Sequence, residues 1–181
     1  MKNNSEISKI LSGEHENILK VVDALESEIG KLNNKNINAL FFRKVIDFIR
    51  NYADKFHHAK EEDILFKEFN KCAEEGRVHC NPVEQMLVEH DEGRRCVKMM
   101  ELGLDENNKE ELIKGSGGYI NLIREHIFKE DNILYPMIEE TLGDKPKKSI
   151  IAQFNKINNL KKREIERFEK FVKEIKQSNK P

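Results

Sequence analysis

Two stretches of this chain carry side chains suited to binding metal. One reads His57-His58-Ala59-Lys60-Glu61-Glu62-Asp63-Ile64-Leu65-Phe66, the other His126-Ile127-Phe128-Lys129-Glu130-Asp131-Asn132-Ile133-Leu134-Tyr135. Superposed, His57 falls on His126, Glu61 on Glu130 and Ile64-Leu65 on Ile133-Leu134. A histidine and a carboxylate four positions apart lie on one helix face, about one turn from each other. Two helices that each present such a pair can close on a metal from opposite sides. The first stretch alone holds two overlapping His-x-x-x-Glu pairs, and the second holds one. The second copy therefore selects His57 and Glu61 as the inward pair. His58 then either faces solvent beside the ligand or is itself a ligand, and Glu62 is a neighbouring charge.

Two further histidines sit in apolar stripes. His15 lies between Leu11 and Ile18 in a stripe that also holds Ile7, Val22, Leu25 and Ile29. His90 lies among Val83, Met86, Leu87, Val97 and Met100. A lone histidine in such a stripe is usually a hydrogen-bonded core residue, but here Glu14-His15-Glu16 resembles Glu89-His90-Asp91. The chain thus contains a weak two-fold repeat, each half pairing a helix with one core histidine and a helix with one His-x-x-x-Glu. Burying four imidazoles and two carboxylates in one core is costly unless a shared partner satisfies them. Mixed imidazole and carboxylate ligands suit iron, manganese or zinc, and bridging carboxylates suit two metals held close together. The economical arrangement is two iron ions, oxo- or hydroxo-bridged. Glu61 and Glu130 bridge them, and His15, His57, His90 and His126 are terminal ligands.

Five amphipathic helices must position these groups. Periodicity predicts them at about Ser5–Leu32, Ile37–Glu75, Pro82–Leu102, a fourth starting before Tyr119 and reaching Leu142, and Lys148–Gln177. Phe42, Val45, Ile49, Ala53 and Phe56 carry the buried face of the second helix. Tyr119, Leu122, Ile123, Ile133 and Met137 accompany His126 and Glu130 in the fourth. Asn33-Asn34-Lys35-Asn36, Gly76 to Pro82, Gly103 to Asn108 and Gly143 to Pro146 are the breaks. Gly115-Ser116-Gly117-Gly118 leaves the fourth helix's first turns weakly specified, and Pro136 should open that helix after Glu130. The fold expected is an all-α, up-down-up-down four-helix bundle over residues 1–145. A C-terminal helix over 146–181 then packs on the bundle or makes a homodimer contact.

Composition narrows the function classes. Charged residues at 36%, with only 9 Gly and 4 Pro, fit long surface-charged helices. A net charge of −1 gives no field directed at nucleic acid or an anionic membrane. No apolar run is long enough to span a bilayer. The first residues lack an apolar signal core, so a cytoplasmic protein is expected. Cys72, Cys80 and Cys96 are odd in number and lack C-x-x-C spacing, which reads as reduced thiols.

The pattern resembles the hemerythrin family, also called the HHE cation-binding domain. The resemblance rests on His57-His58-x-x-Glu61-Glu62-x-x-Leu65-Phe66, on His126-Ile127-x-x-Glu130-x-x-Ile133-Leu134-Tyr135-Pro136, and on His15 and His90 as the lone ligands. It covers roughly residues 5 to 142. It implies a four-helix bundle around a non-heme di-iron site that meets dioxygen, peroxide or nitric oxide. The family's oxygen carriers have His-x-x-x-His on the third helix, where this chain has Arg94. They place an aspartate five after the fourth-helix histidine, where Glu130 at four is the better match here, although Asp131 is present. Both departures liken the chain to bacterial relatives linked to nitrosative and oxidative stress and to repair of iron centres. They also liken it to the iron-sensing domain of a ubiquitin ligase subunit. The expected function is binding or sensing dioxygen, or reaction with peroxide or nitric oxide, in which Arg94 and Tyr119 are candidate donors beside the metals. An iron donor or store, or a structural bundle with a regulatory partner, are the alternatives.

Overall fold

The computed structural model describes residues 6–32 and 34–178, the side chains of 176–178 excepted. Ser5, the expected first residue of the first helix, and Asn33 of the first break lie outside that range. The described chain consists of helices without strands. Helix α1 is Glu6–Ile29, α2 spans 39–74, α3 is Val83–Asp105, α4 spans 109–141, α5 is Asp144–Leu160 and α6 is Lys162–Ser178. The first four form the up-down-up-down bundle, and the last two lie along it.

The helix starts follow local chemistry. The Asn38 side chain accepts from the Phe41 amide and starts α2, and Asn108 accepts from the Glu111 amide and starts α4. These contacts satisfy amides that the first turn leaves free. Helix α4 therefore begins well before the glycine run. Gly103 and Gly115 have a packing role instead. A Cβ on Gly103 would sit 2.5 Å from the Leu112 amide nitrogen, and one on Gly115 would sit 2.8 Å from that of Met100. Without side chains there, the α3 and α4 backbones touch.

The predicted single C-terminal helix is two. At Lys161 the chain turns, although its amide still bonds the Ile157 carbonyl. Phe154 of α5 and Phe168, Val172 and Ile175 of α6 are buried against the bundle, with Phe168 edge-on to Phe48 at 5.6 Å.

The core has two apolar layers. One contains Ile18, Val22, Leu25, Phe42, Val45, Phe48, Tyr52, Met100, Ile123 and Phe168. The other contains Ile7, Leu11, Leu65, Phe66, Phe69, Met86, Leu134, Tyr135, Ile138 and Phe154. A wholly buried polar layer lies between them.

Helices α2 and α4 bend their periodicity at that layer. Residues Ile49–His58, Glu61–Leu65 and Glu130–Leu134 are π-helical. The Phe66 amide bonds the Glu61 carbonyl and the Tyr135 amide bonds that of Glu130, each five residues back. The opening expected from Pro136 is present. Its repeat-related counterpart at Glu61–Leu65 has no proline, so proline is not the common cause. The extra residue per turn rephases the helix. Ile133, placed in the apolar stripe on α-helical spacing, is 51% exposed, and Leu134, Tyr135 and Ile138 face inward instead. Leu87 likewise sits at the surface rather than in its stripe.

Candidate metal centre

The six residues singled out in the sequence meet in the polar layer. His15, His57, Glu61, His90, His126 and Glu130 are each at most 2% exposed. They form two clusters of convergent ligand atoms, one of His15, His57, Glu61 and Glu130, the other of His58, Glu61, His90 and His126. Glu61 belongs to both, with Oε2 at 3.7 Å from His57 Nε2 and 3.6 Å from His90 Nε2. Glu130 also reaches both, with Oε2 at 3.2 Å from His15 Nε2 and Oε1 at 3.3 Å from His126 Nε2.

Of the two positions open to His58, the structure takes it out of solvent and into the second cluster. It is buried and stacks on His90 with ring centroids 3.9 Å apart. In an α-helix adjacent residues diverge by about 100°. The π-helical turn holds more residues and narrows that angle, so His57 and His58 both turn inward.

A ring of carboxylates surrounds the imidazoles. Nδ1 of His57 lies 2.8 Å from Glu14, that of His126 2.8 Å from Glu89, that of His90 2.7 Å from Glu62 and that of His15 3.0 Å from Asp131. His58 Nδ1 faces Asp54 at 3.8 Å. When Nδ1–H donates outward, the Nε2 lone pair points to the centre, the arrangement that metal-binding histidines use. The two-fold repeat extends to this ring: Glu14 matches Glu89, Glu62 matches Asp131, and Lys60 on Glu14 matches Lys129 on Glu89. Glu62 is therefore the carboxylate partner of His90 Nδ1. Only the Glu14/Glu89 match was visible in the sequence as a local similarity. The others follow once the same offset is applied beyond the histidines.

Two positions break the symmetry. Tyr135 and its counterpart Phe66 stack on His15 and His90 at 5.7 and 6.1 Å. The tyrosine hydroxyl alone adds a polar contact, donating to Glu61 Oε1 at 2.5 Å and lying 3.3 Å from His15 Nε2. His58 has Ile127 as its counterpart. Each break adds a polar group to one cluster.

Without metal, protons hold the layer together. Burial and the nearby Glu130 charge push the Glu61 carboxyl well up. Burial also opposes ionisation of Glu130, but His126 and His15 outweigh it and hold its pKa well down. Against burial, Asp131 and Glu130 raise His15 to about 9, and Glu130 and Glu89 raise His126 to about 10. Burial and neighbouring imidazoles hold His57 and His58 well below the usual histidine range. Lys60 is fully buried, ion-paired with Glu14 and 3.9 Å above the Phe56 ring.

The residues fit a metal. His57 Nε2, Glu61 Oε2 and both Glu130 oxygens are buried without hydrogen-bond partners. His90 Nε2 and His126 Nε2 face each other at 3.1 Å. If both rings donate through Nδ1, those nitrogens are two lone pairs in contact, which only a proton or cation between them stabilises. Imidazole and carboxylate together suit iron, manganese or zinc.

The model of the hemerythrin HHE cation binding domain matches residues 6–138. The chain belongs to the hemerythrin family. No curated protein and no solved structure matches it. The match covers the four-helix bundle and all twelve helix-borne groups of the two clusters and their Nδ1 partners named above, from Glu14 to Asp131. The C-terminal helices of this hemerythrin domain lie outside it.

Arg94, which stands where the family's oxygen carriers have a histidine, does not reach the centre. It bonds Asp54, Glu62 and Asp91. The sequence had made it a candidate donor beside the metals. A cavity of about 210 Å³ opens beside the second cluster, lined by His58, His90, His126, Arg94, Tyr119 and Val97 among others. None of His15, His57, Glu61 and Glu130 lines it.

Proposed function

We propose that the domain holds two iron ions and uses them to bind or sense dioxygen, or to react with peroxide or nitric oxide. The first cluster would hold one ion and the second the other, with Glu61 and Glu130 shared. Iron in such a centre supplies one-electron redox chemistry and a position for a small ligand. The single observation that carries the reading is the asymmetry of access: a cavity reaches three imidazoles of the second cluster and none of the first cluster's own ligands.

The chain's residues have definable tasks. Glu14, Glu62, Glu89 and Asp131 fix the tautomer and orientation of four imidazoles, and Asp54 faces the fifth. Tyr135 orients Glu61. Ile49, Val97, Leu122 and Ile123 give the cavity an apolar wall that favours small, weakly charged ligands. Arg94 ties α3 to α2 at the cavity rim.

The test is metal analysis of the purified protein with optical spectra under nitrogen, air and nitric oxide. Two irons per chain, with spectra that change on exposure to air or nitric oxide, support the reading. A protein that takes up no iron, manganese or zinc refutes it. Iron that passes readily to a chelator or to an apo iron–sulfur protein favours the donor reading instead.

A further inference from the structure

The cavity wall contains one buried hydrogen-bonding group with no partner in the protein. Tyr119, on α4, is 2% exposed and lines the cavity with His58, His90 and His126. Its hydroxyl is buried and has no partner. Among the described residues lining the cavity, no other has a buried side-chain nitrogen or oxygen left unpaired. A buried hydroxyl without a partner is costly, so such groups in folded proteins generally have an explanation.

The surroundings fix the hydroxyl's role by elimination. Ile49, Val97, Leu122 and Ile123 offer the phenol no acceptor, and the two carboxylates in the lining are engaged elsewhere, Asp54 with Arg94 and Glu89 with His126 and Lys129. Gly93 leaves the space beside the ring free of side chain, the ring edge lying 3.7 Å from where its Cβ would be. Arg94, at the rim, is committed to Asp54, Glu62 and Asp91 and does not compete as a donor. Burial raises the phenol's pKa, so it is a neutral donor.

We propose that Tyr119 is the hydrogen-bond donor to the small ligand that enters this cavity, and that it selects ligands whose distal atom is a good acceptor. The inference rests on the di-iron reading above and adds a specificity determinant to it. A single neutral donor in an aliphatic wall suits a ligand of two or three heavy atoms with at most one negative charge. It offers multiply charged oxyanions only one donor, since both arginines that line the cavity are already paired, Arg94 with Asp54, Glu62 and Asp91 and Arg50 with Glu101. It also distinguishes ligand types. Azide, with negative charge on its terminal nitrogen, gains the hydrogen bond, and nitric oxide, a weak acceptor, gains little.

The experiment compares the iron-loaded protein with its Tyr119→Phe variant, using azide and nitric oxide as probes. Metal content and the melting temperature of the metal-free protein should not fall in the variant, since the hydroxyl has no protein partner to lose. Azide affinity should drop about tenfold, the worth of one hydrogen bond. Nitric oxide affinity should change less than about threefold. In the unsubstituted protein, exchange into D2O should shift the azide stretching band, and the shift should vanish in the variant. Equal azide affinity in the two proteins, or no D2O shift in the unsubstituted one, overturns the proposal. So does a variant that loses metal or stability, because the hydroxyl then has a structural role. Failure of the unsubstituted protein to hold iron would instead sink the di-iron reading itself.

Discussion

Removing the metal should make this bundle's stability fall steeply with pH between about 7 and 9. In the metal-free protein His15 and His126 hold protons with pKa values raised to about 9 and about 10. In the unfolded chain a histidine releases its proton near 6.5. In this window the folded state binds more protons than the unfolded one, so stability decreases as pH rises. The contribution is complete below about pH 6.5 and is lost through the folded pKa. Glu61, also raised, acts in the same sense. His57 and His58 are neutral in both states above about pH 7 and do not oppose it. Both raised histidines lean on Glu130, so their contributions overlap, and His15 alone sets the scale. A rise from 6.5 to about 9 corresponds to roughly 3 kcal/mol, of which about 2 kcal/mol disappears between pH 7 and 9. That is a drop of about 4–8 °C in melting temperature for a domain of this size. The assay is thermal or urea unfolding of chelator-treated protein across this range, with metal-loaded protein beside it. Metal replaces these protons, so the loaded form should show no such decline. A midpoint that is flat or rising from pH 7 to 9 in the chelated protein would refute the electrostatic reading of the polar layer.

Five substitutions probe the rest. Glu61→Ala should remove both metals, since Glu61 belongs to both clusters, and Glu62→Gln should lower affinity only by about 10–100-fold through His90; metal titration separates them, and equal losses would show that Glu62 is itself a ligand. His58→Ala should bring metal content toward one ion per chain. Two tightly held ions in that variant would return His58 to the role of a stacked neighbour. Tyr135→Phe strips Glu61 of its hydrogen bond and leaves a buried carboxyl oxygen unpaired. It should destabilise the metal-free protein by about 1–3 kcal/mol, and an unchanged unfolding midpoint would show that Tyr135 only stacks on His15. Gly115→Ala drives a methyl to 2.8 Å from the Met100 amide nitrogen. About 1–3 kcal/mol of overpacking should follow, and a variant as stable as the parent would mean that α3 and α4 can separate without cost.

Much of this was legible in the linear sequence because helices preserve spacing. His57 and Glu61 are one turn apart wherever the helix goes, and so are His126 and Glu130. The repeat carried His15 and His90 with them, and their apolar flanks declared them buried. The charged, glycine-poor composition favoured long helices, and their apolar periodicity made the all-α bundle the expected fold. Spacing rules assume an α-helical period, and they failed where the period changed. The π-helical turns brought His58 in, put Ile133 out and faced Tyr135 toward Glu61. No local pattern announces such turns, since the one at Glu61–Leu65 lacks the proline that follows its counterpart at Glu130–Leu134. The break at Lys161 was hidden for a similar reason: the apolar positions continue across it. Partners from different helices were also beyond the sequence. Which carboxylate meets which imidazole depends on how four helices are rotated against one another, and Arg94's attachment to Asp54 and Glu62 depends on the same rotation. The sequence by itself determined the ligand types and their turn-by-turn spacing, because both are covalent and local. Only the tertiary structure decided which atoms converge, which face the cavity and which of the two clusters a small ligand can reach, because those depend on packing between helices distant along the chain.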